Sequence, residues 1–82
     1  MIYYFSSPTC EPCQKIKLSI QELQEDFPLE WKFLDLDSQV AKDHGITKVP
    51  TMLGISPTET LKHSGTDVIG YYKILRSISK SS

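Results

Sequence analysis

Apolar positions along the chain switch between two periods, and the switches mark its elements. Ile2 to Phe5 is apolar at every position and rich in strand formers, the pattern of a strand covered on both faces. A polar turn, Ser6-Ser7-Pro8-Thr9, follows it. From Cys13 to Phe27 the apolar residues Cys13, Ile16, Ile20, Leu23 and Phe27 step by three or four, which lays one stripe along a helix. That helix should end near Asp26-Phe27-Pro28, because the residue before a proline is pushed out of helical geometry. Trp31 to Leu36 reads as a second strand, and strand–helix–strand in this order implies a right-handed crossover with parallel pairing.

Asp37 is the expected N-cap of a short helix containing Val40 and Ala41 and stopped at Gly45, with His44 in its last turn as a surface residue. Ile46 to Thr51 leads into Met52-Leu53-Gly54-Ile55. The turn residues Ser56-Pro57-Thr58-Glu59 then let Thr60 to His63 return as an antiparallel partner. Thr66 is the expected cap of a final helix that buries Val68, Tyr71 or Tyr72, Leu75 and Ile78, before a frayed Ser-Lys-Ser-Ser end. Gly70 inside that helix costs about 0.8–1.0 kcal/mol relative to alanine, which a close approach to another element would explain. The fold class is therefore α/β: a central four-stranded mixed sheet with an antiparallel edge, flanked by three helices in the order β-α-β-α-β-β-α.

Composition narrows the function classes. At 82 residues the chain makes one small domain, residues 1–82, with little room for a second core. A formal net charge of −1 and the lack of long like-charged runs point away from nucleic acid and membrane surfaces. No apolar stretch is long enough to span a bilayer, and the first residues do not read as a secretory signal, so a cytoplasmic monomer is expected. In that compartment paired thiols are more often catalytic than structural.

The chemistry sits at Cys10-Glu11-Pro12-Cys13. The two thiols fall in the first turn of a helix that leaves a strand, face the same side, and can close a disulfide with little backbone movement. First-turn N–H groups lack helical partners and carry the positive end of the macrodipole, which favours a thiolate over a thiol. Thiols in such motifs titrate at roughly 3.5–7.5 instead of about 8.5. Cys10, nearer the helix end, is the expected nucleophile, and Cys13, on the apolar stripe, the shielded resolving thiol. A structural disulfide across so small a loop would constrain little of the unfolded chain. A zinc site would need His44 and His63, whose spacing does not suit one. Two inert core cysteines are the remaining alternative, and the strand–turn–helix context favours redox chemistry. Lys15 and Lys17 could raise the potential near the thiolate, although a solvated helix face accounts for them as simply.

Several of these features together resemble the thioredoxin/glutaredoxin superfamily. The Cys-X-X-Cys motif lies at a strand-to-helix turn, Val49-Pro50-Thr51 stands just before a strand, His44-Gly45-Ile46 precedes that loop, and Gly65 precedes the last helix. The resemblance covers essentially the whole chain and implies a thioredoxin-like fold of glutaredoxin size. It also implies a cis Pro50 beside the disulfide, with Val49 offering its backbone to an extended substrate. Catalytic Cys10 and Cys13 would be framed by the substrate-binding residues Thr9, Glu11, Pro12, Val49, Pro50, Gly65 and Thr66.

The implied activity is that of a thiol–disulfide oxidoreductase, an electron carrier that reduces protein disulfides with no cofactor beyond its own Cys10–Cys13 pair. Ribonucleotide reductase is a family-based candidate substrate, and thioredoxin reductase or glutathione a candidate electron donor. Three features depart from thioredoxin: Thr9 replaces a tryptophan, Glu-Pro replaces Gly-Pro, and Ile2–Phe5 carries no acid, so the sequence assigns no proton acceptor to Cys13. Lys48 and Asp67 could instead grip the charged ends of glutathione, the alternative of a glutathione-dependent glutaredoxin. A third alternative is a binding module of the same fold whose thiols are incidental.

Overall fold

The computed structural model describes residues 1–81. Strand β1 (Ile2–Ser6) leads into helices α1 (Glu11–Lys15) and α2 (Lys17–Asp26), and β2 (Trp31–Asp35) into α3 (Gln39–Asp43). The hairpin β3 (Thr51–Ile55) and β4 (Thr60–Ser64) precedes the closing helix α4 (Val68–Ser81). The strands form one mixed sheet in the order β2-β1-β3-β4, with β1 and β2 parallel and the other two pairs antiparallel. The α/β class and the four-stranded mixed sheet are those the sequence predicts. Among the described residues no helix is long and apolar enough to cross a membrane.

Two apolar layers sandwich the sheet, because alternate residues of β1 and β3 point to opposite faces. On one face Ile2, Tyr4 and Met52 pack against Ile16, Ile20 and Leu23 of the first helical segment and Tyr71, Ile74, Leu75 and Ile78 of α4. On the other, Phe5 and Leu53 pack against Ala41 and Ile46. The α4 stripe thus chooses Tyr71 over its exposed neighbour Tyr72. Gly70 is explained by close approach: a Cβ there would collide with the His63 ring of β4.

The structure corrects four local expectations. The first helix is divided at Ile16, whose backbone leaves helical geometry (φ −102°, ψ 4°), so four helices stand where three are predicted. Neither proline nor glycine stands at the break. Because Ile16, Ile20 and Leu23 remain buried on one side of it, the apolar period runs through undisturbed and could not reveal it. The cap of α3 is Ser38, whose Oγ accepts from the Ala41 N–H at 3.2 Å, and not Asp37. The cap of α4 is Asp67, whose Oδ1 accepts from the Ile69 N–H at 3.1 Å, and not Thr66. In both cases two good capping residues are adjacent, and the chain's path into the helix picks between them. Finally, α4 runs through Ser81, so the Ser-Lys-Ser stretch is helical; Ser82 lies outside the described residues.

Candidate redox site

β1 delivers the chain to a turn in which Ser7 Oγ accepts from the Thr9 N–H at 3.4 Å and the Cys10 N–H donates to the Ser7 carbonyl at 3.1 Å. Cys10 then serves as the N-cap of α1, with extended φ and ψ of −85° and 109°. Its Sγ accepts from the Cys13 N–H at 3.2 Å, which directs an otherwise unpaired helix donor at the sulfur. Pro12 in the first turn suits a position that needs no N–H. Cys10 and Cys13 are joined as a disulfide, with their Cα atoms 5.3 Å apart.

The two sulfurs stand in different surroundings. Cys10 is half-buried at the surface, whereas Cys13 is only 7% exposed and opens the buried stripe of the first helical segment. The first setting suits a nucleophile that must meet a macromolecular disulfide, and the second a resolving thiol kept from solvent.

The Val49–Pro50 peptide is cis, and Pro50 is buried. The Val49 carbonyl lies 3.7 Å from Cys10 Sγ, within reach of the Cys10 thiol when the pair is reduced. Thr51 Oγ1 donates to the Lys48 carbonyl at 2.7 Å and pins the loop from behind. Gly65, at φ +115°, a conformation that favours glycine, donates its N–H to the Pro50 carbonyl at 3.1 Å. The structure therefore gathers Cys10, Cys13, Val49, Pro50 and Gly65 at one end of the sheet. Thr9, Glu11 and Pro12 are exposed beside Cys10. Thr66 is exposed and follows Gly65, but no hydrogen bond ties it to the cysteine or the proline loop among the described residues.

Sequence reasoning missed two residues at this end. The Tyr71 hydroxyl bonds the Gly65 carbonyl and lies 3.1 Å from the Pro50 carbonyl, fastening α4 to the proline loop. Its ring is fully buried, and burial pushes its pKa above the ordinary tyrosine value. Tyr4 of β1 is 5% exposed, and burial pushes its pKa up to about 12. The apolar period placed Tyr71 or Tyr72 in the core, but nothing in a period says that a hydroxyl will find a loop.

An α/β sandwich with a cysteine pair at a helix start, facing a cis-proline loop, defines a thioredoxin-like disulfide protein. The thioredoxin family model matches residues 1–74, and the chain belongs to that family. The pair is the redox centre of a thiol–disulfide oxidoreductase. No curated protein sequence matches the chain. Among solved structures, thioredoxin from Trypanosoma brucei brucei superimposes with a TM-score of 0.83 at 22% identity, covering 96% of this chain and 74% of its own. Oxidised mitochondrial thioredoxin 3 from Saccharomyces cerevisiae gives 0.82 at 20% identity, covering 93% and 76%. Fasciola hepatica thioredoxin gives 0.76 at 22%, covering 99% and 79%. At these identities the likeness is one of fold.

Proposed function

We propose that the protein is a thioredoxin-like electron carrier that reduces protein disulfides. The observation that carries this reading is the asymmetry of the pair: Cys10 half-exposed and held by the Cys13 N–H, Cys13 buried behind it. Cys10 thiolate attacks one sulfur of a substrate disulfide, forming a mixed disulfide and expelling the other sulfur as a thiol. Cys13, once deprotonated, attacks Cys10 Sγ; the Cys10–Cys13 bond forms, the bond to substrate breaks, and the second substrate sulfur leaves with the electron pair. Two electrons have passed to the substrate. The Val49 backbone, at the open edge of the proline loop, supports docking of an extended segment regardless of its sequence.

The pair itself is the only redox group this cycle requires. The proposal extends to a cytoplasmic monomer re-reduced by thioredoxin reductase, with ribonucleotide reductase as a candidate substrate. Cys13→Ser should accumulate mixed disulfides with a protein substrate, while Cys10→Ser should form none. Equal trapping by both variants, detected on non-reducing gels, would contradict the assignment.

One observation favours a second reading. Lys48 and Lys62 line a small cleft of about 200 Å³ with Thr47, Thr51 and Ser64, beside Val49. Two cations there suit a carboxylate of glutathione, as in a glutaredoxin. Asp67, the other expected contact, spends one carboxylate oxygen on capping α4. If glutathione is the donor, it reduces the oxidised protein faster than thioredoxin reductase does, and Lys48→Ala slows that reaction.

A further inference from the structure

Cys13 must give up a proton before it can attack Cys10, yet it is almost closed to solvent. A groove of about 830 Å³ reaches it from the side of the sheet edge, and the lining includes Tyr4, Cys13, Gln14, Lys17, Phe33 and Asp35. Tyr4 brings to this lining a buried hydroxyl with no hydrogen-bond partner among the described residues. An unpaired buried hydroxyl is costly, and such groups are rare enough to need an explanation.

Tyr4 also packs on Tyr71, the residue that fastens α4 to the proline loop. The rings of Tyr4 and Tyr71 meet edge to face, with centroids 6.2 Å apart, and charge on Tyr4 is felt at the Tyr71 hydroxyl. That hydroxyl in turn bonds the carbonyls of Gly65 and Pro50, next to the disulfide. Tyr4 and Cys13 thus line one groove, and the Tyr4 donor is unused there.

We propose that the Tyr4 hydroxyl becomes the hydrogen-bond partner of the Cys13 sulfur in the reduced protein, donating to the thiolate once the S–S bond is broken. This rests on the redox reading above. In the oxidised protein no acceptor among the described residues, the disulfide sulfurs included, stands within hydrogen-bond reach of the hydroxyl, and breaking the S–S bond frees the Cys13 side chain to turn toward it. A thiolate is an anionic acceptor, and a charge-assisted bond to it is about twice as strong as a neutral one. Tyr4 itself stays protonated. The Cys13 proton passes to water in the groove, the thiolate attacks Cys10 Sγ, and the bond from Cys10 to the substrate breaks with the electron pair leaving on the substrate sulfur. The charged groups lining this groove are Lys17 from α2, which favours the thiolate, and Asp35 from β2, which opposes it, while Tyr71 from α4 packs on the Tyr4 ring. β3 places only neutral Met52 opposite Tyr4, and His63 of β4 faces Tyr71.

The test uses Cys10→Ser protein, in which Cys13 is the single thiol, with and without Tyr4→Phe. The pH dependence of alkylation by iodoacetamide reads the Cys13 titration directly. Tyr4→Phe should move its midpoint upward by about one unit, lowering the rate near neutrality by about tenfold. In the protein with both cysteines, at a pH above the Cys13 midpoint where the thiolate is the reduced form, the same substitution should shift the equilibrium with glutathione toward the disulfide by a comparable factor. Phenylalanine keeps the ring packing, so thermal stability of the oxidised protein should be retained, a readout in which a merely structural role would show instead. A midpoint that stays put or falls, or an unchanged equilibrium, overturns the proposal. Whether the wild type reduces insulin disulfides is a separate measurement, so the redox reading can fail while the Tyr4 result stands, and the reverse.

Discussion

Gly70 shows how a single hydrogen atom can be a requirement. In an exposed helix Gly→Ala is worth about 1 kcal/mol of stability through helix propensity. Here the new methyl would meet the His63 ring, which packs edge to face on Tyr71 with centroids 5.0 Å apart and whose Nε2 is buried without a partner among the described residues. Overpacking of that kind costs about 1–3 kcal/mol, so the clash should win. Gly70→Ala is expected to lower stability in urea unfolding. In a double-mutant cycle with His63→Ala, the alanine should regain its propensity advantage. A stabilised Gly70→Ala single variant would show that the His63 ring moves aside freely. Tyr71 is the second residue on which the site depends. Its ring fills the core while its hydroxyl holds the Gly65 and Pro50 carbonyls. Tyr71→Phe should cost about 1 kcal/mol, the net worth of a buried hydrogen bond. It should also reduce turnover with protein disulfides at unchanged Cys10 alkylation, because it loosens the docking loop and leaves the thiols alone.

At the scale of elements, periodicity read existence and type well and read ends poorly. The stripe Cys13, Ile16, Ile20 and Leu23 is buried as its spacing requires, and so is the α4 face at Tyr71, Leu75 and Ile78. Those features express burial, which the apolar pattern encodes. The break at Ile16 and the choice of Ser38 over Asp37 express local backbone path, which the pattern does not encode. The site divides along the same line. Cys10 and Cys13 are legible because a helix start, two thiols and an apolar stripe are all local features. The bond from Tyr71 to the proline loop, and the unpaired Tyr4 hydroxyl, are products of tertiary placement alone. The α3 cap offers a direct check. Ser38 Oγ accepts from Ala41 N–H, so Ser38→Ala should cost about 1 kcal/mol. Asp37→Ala, which removes no cap, should stay within about 0.5 kcal/mol. Equal losses in guanidinium unfolding would put Asp37 back at the cap.

For the molecule as a whole, one apolar layer holds two phenols whose burial opposes their ionisation. Tyr4 and Tyr71 pack against each other between β1 and α4, and burial raises both pKa values, that of Tyr4 to about 12. In the unfolded chain a tyrosine ionises near 10. A raised folded-state pKa means that the native protein keeps its phenolic proton after the unfolded chain has lost it. Below pH 10 both states are protonated and the stability from this source is complete. As pH rises from 10 towards 12 the unfolded state binds fewer protons than the native state, so stability falls with pH across that window. Urea midpoints measured at intervals over this range should therefore decline steeply for the wild type. The decline should be shallower in Tyr4→Phe and shallower again in Tyr4→Phe/Tyr71→Phe, since each substitution removes a proton that only the unfolded chain would release. If the double variant loses stability as steeply as the wild type, the alkaline transition belongs to exposed groups and the two phenols are not sealed in one core.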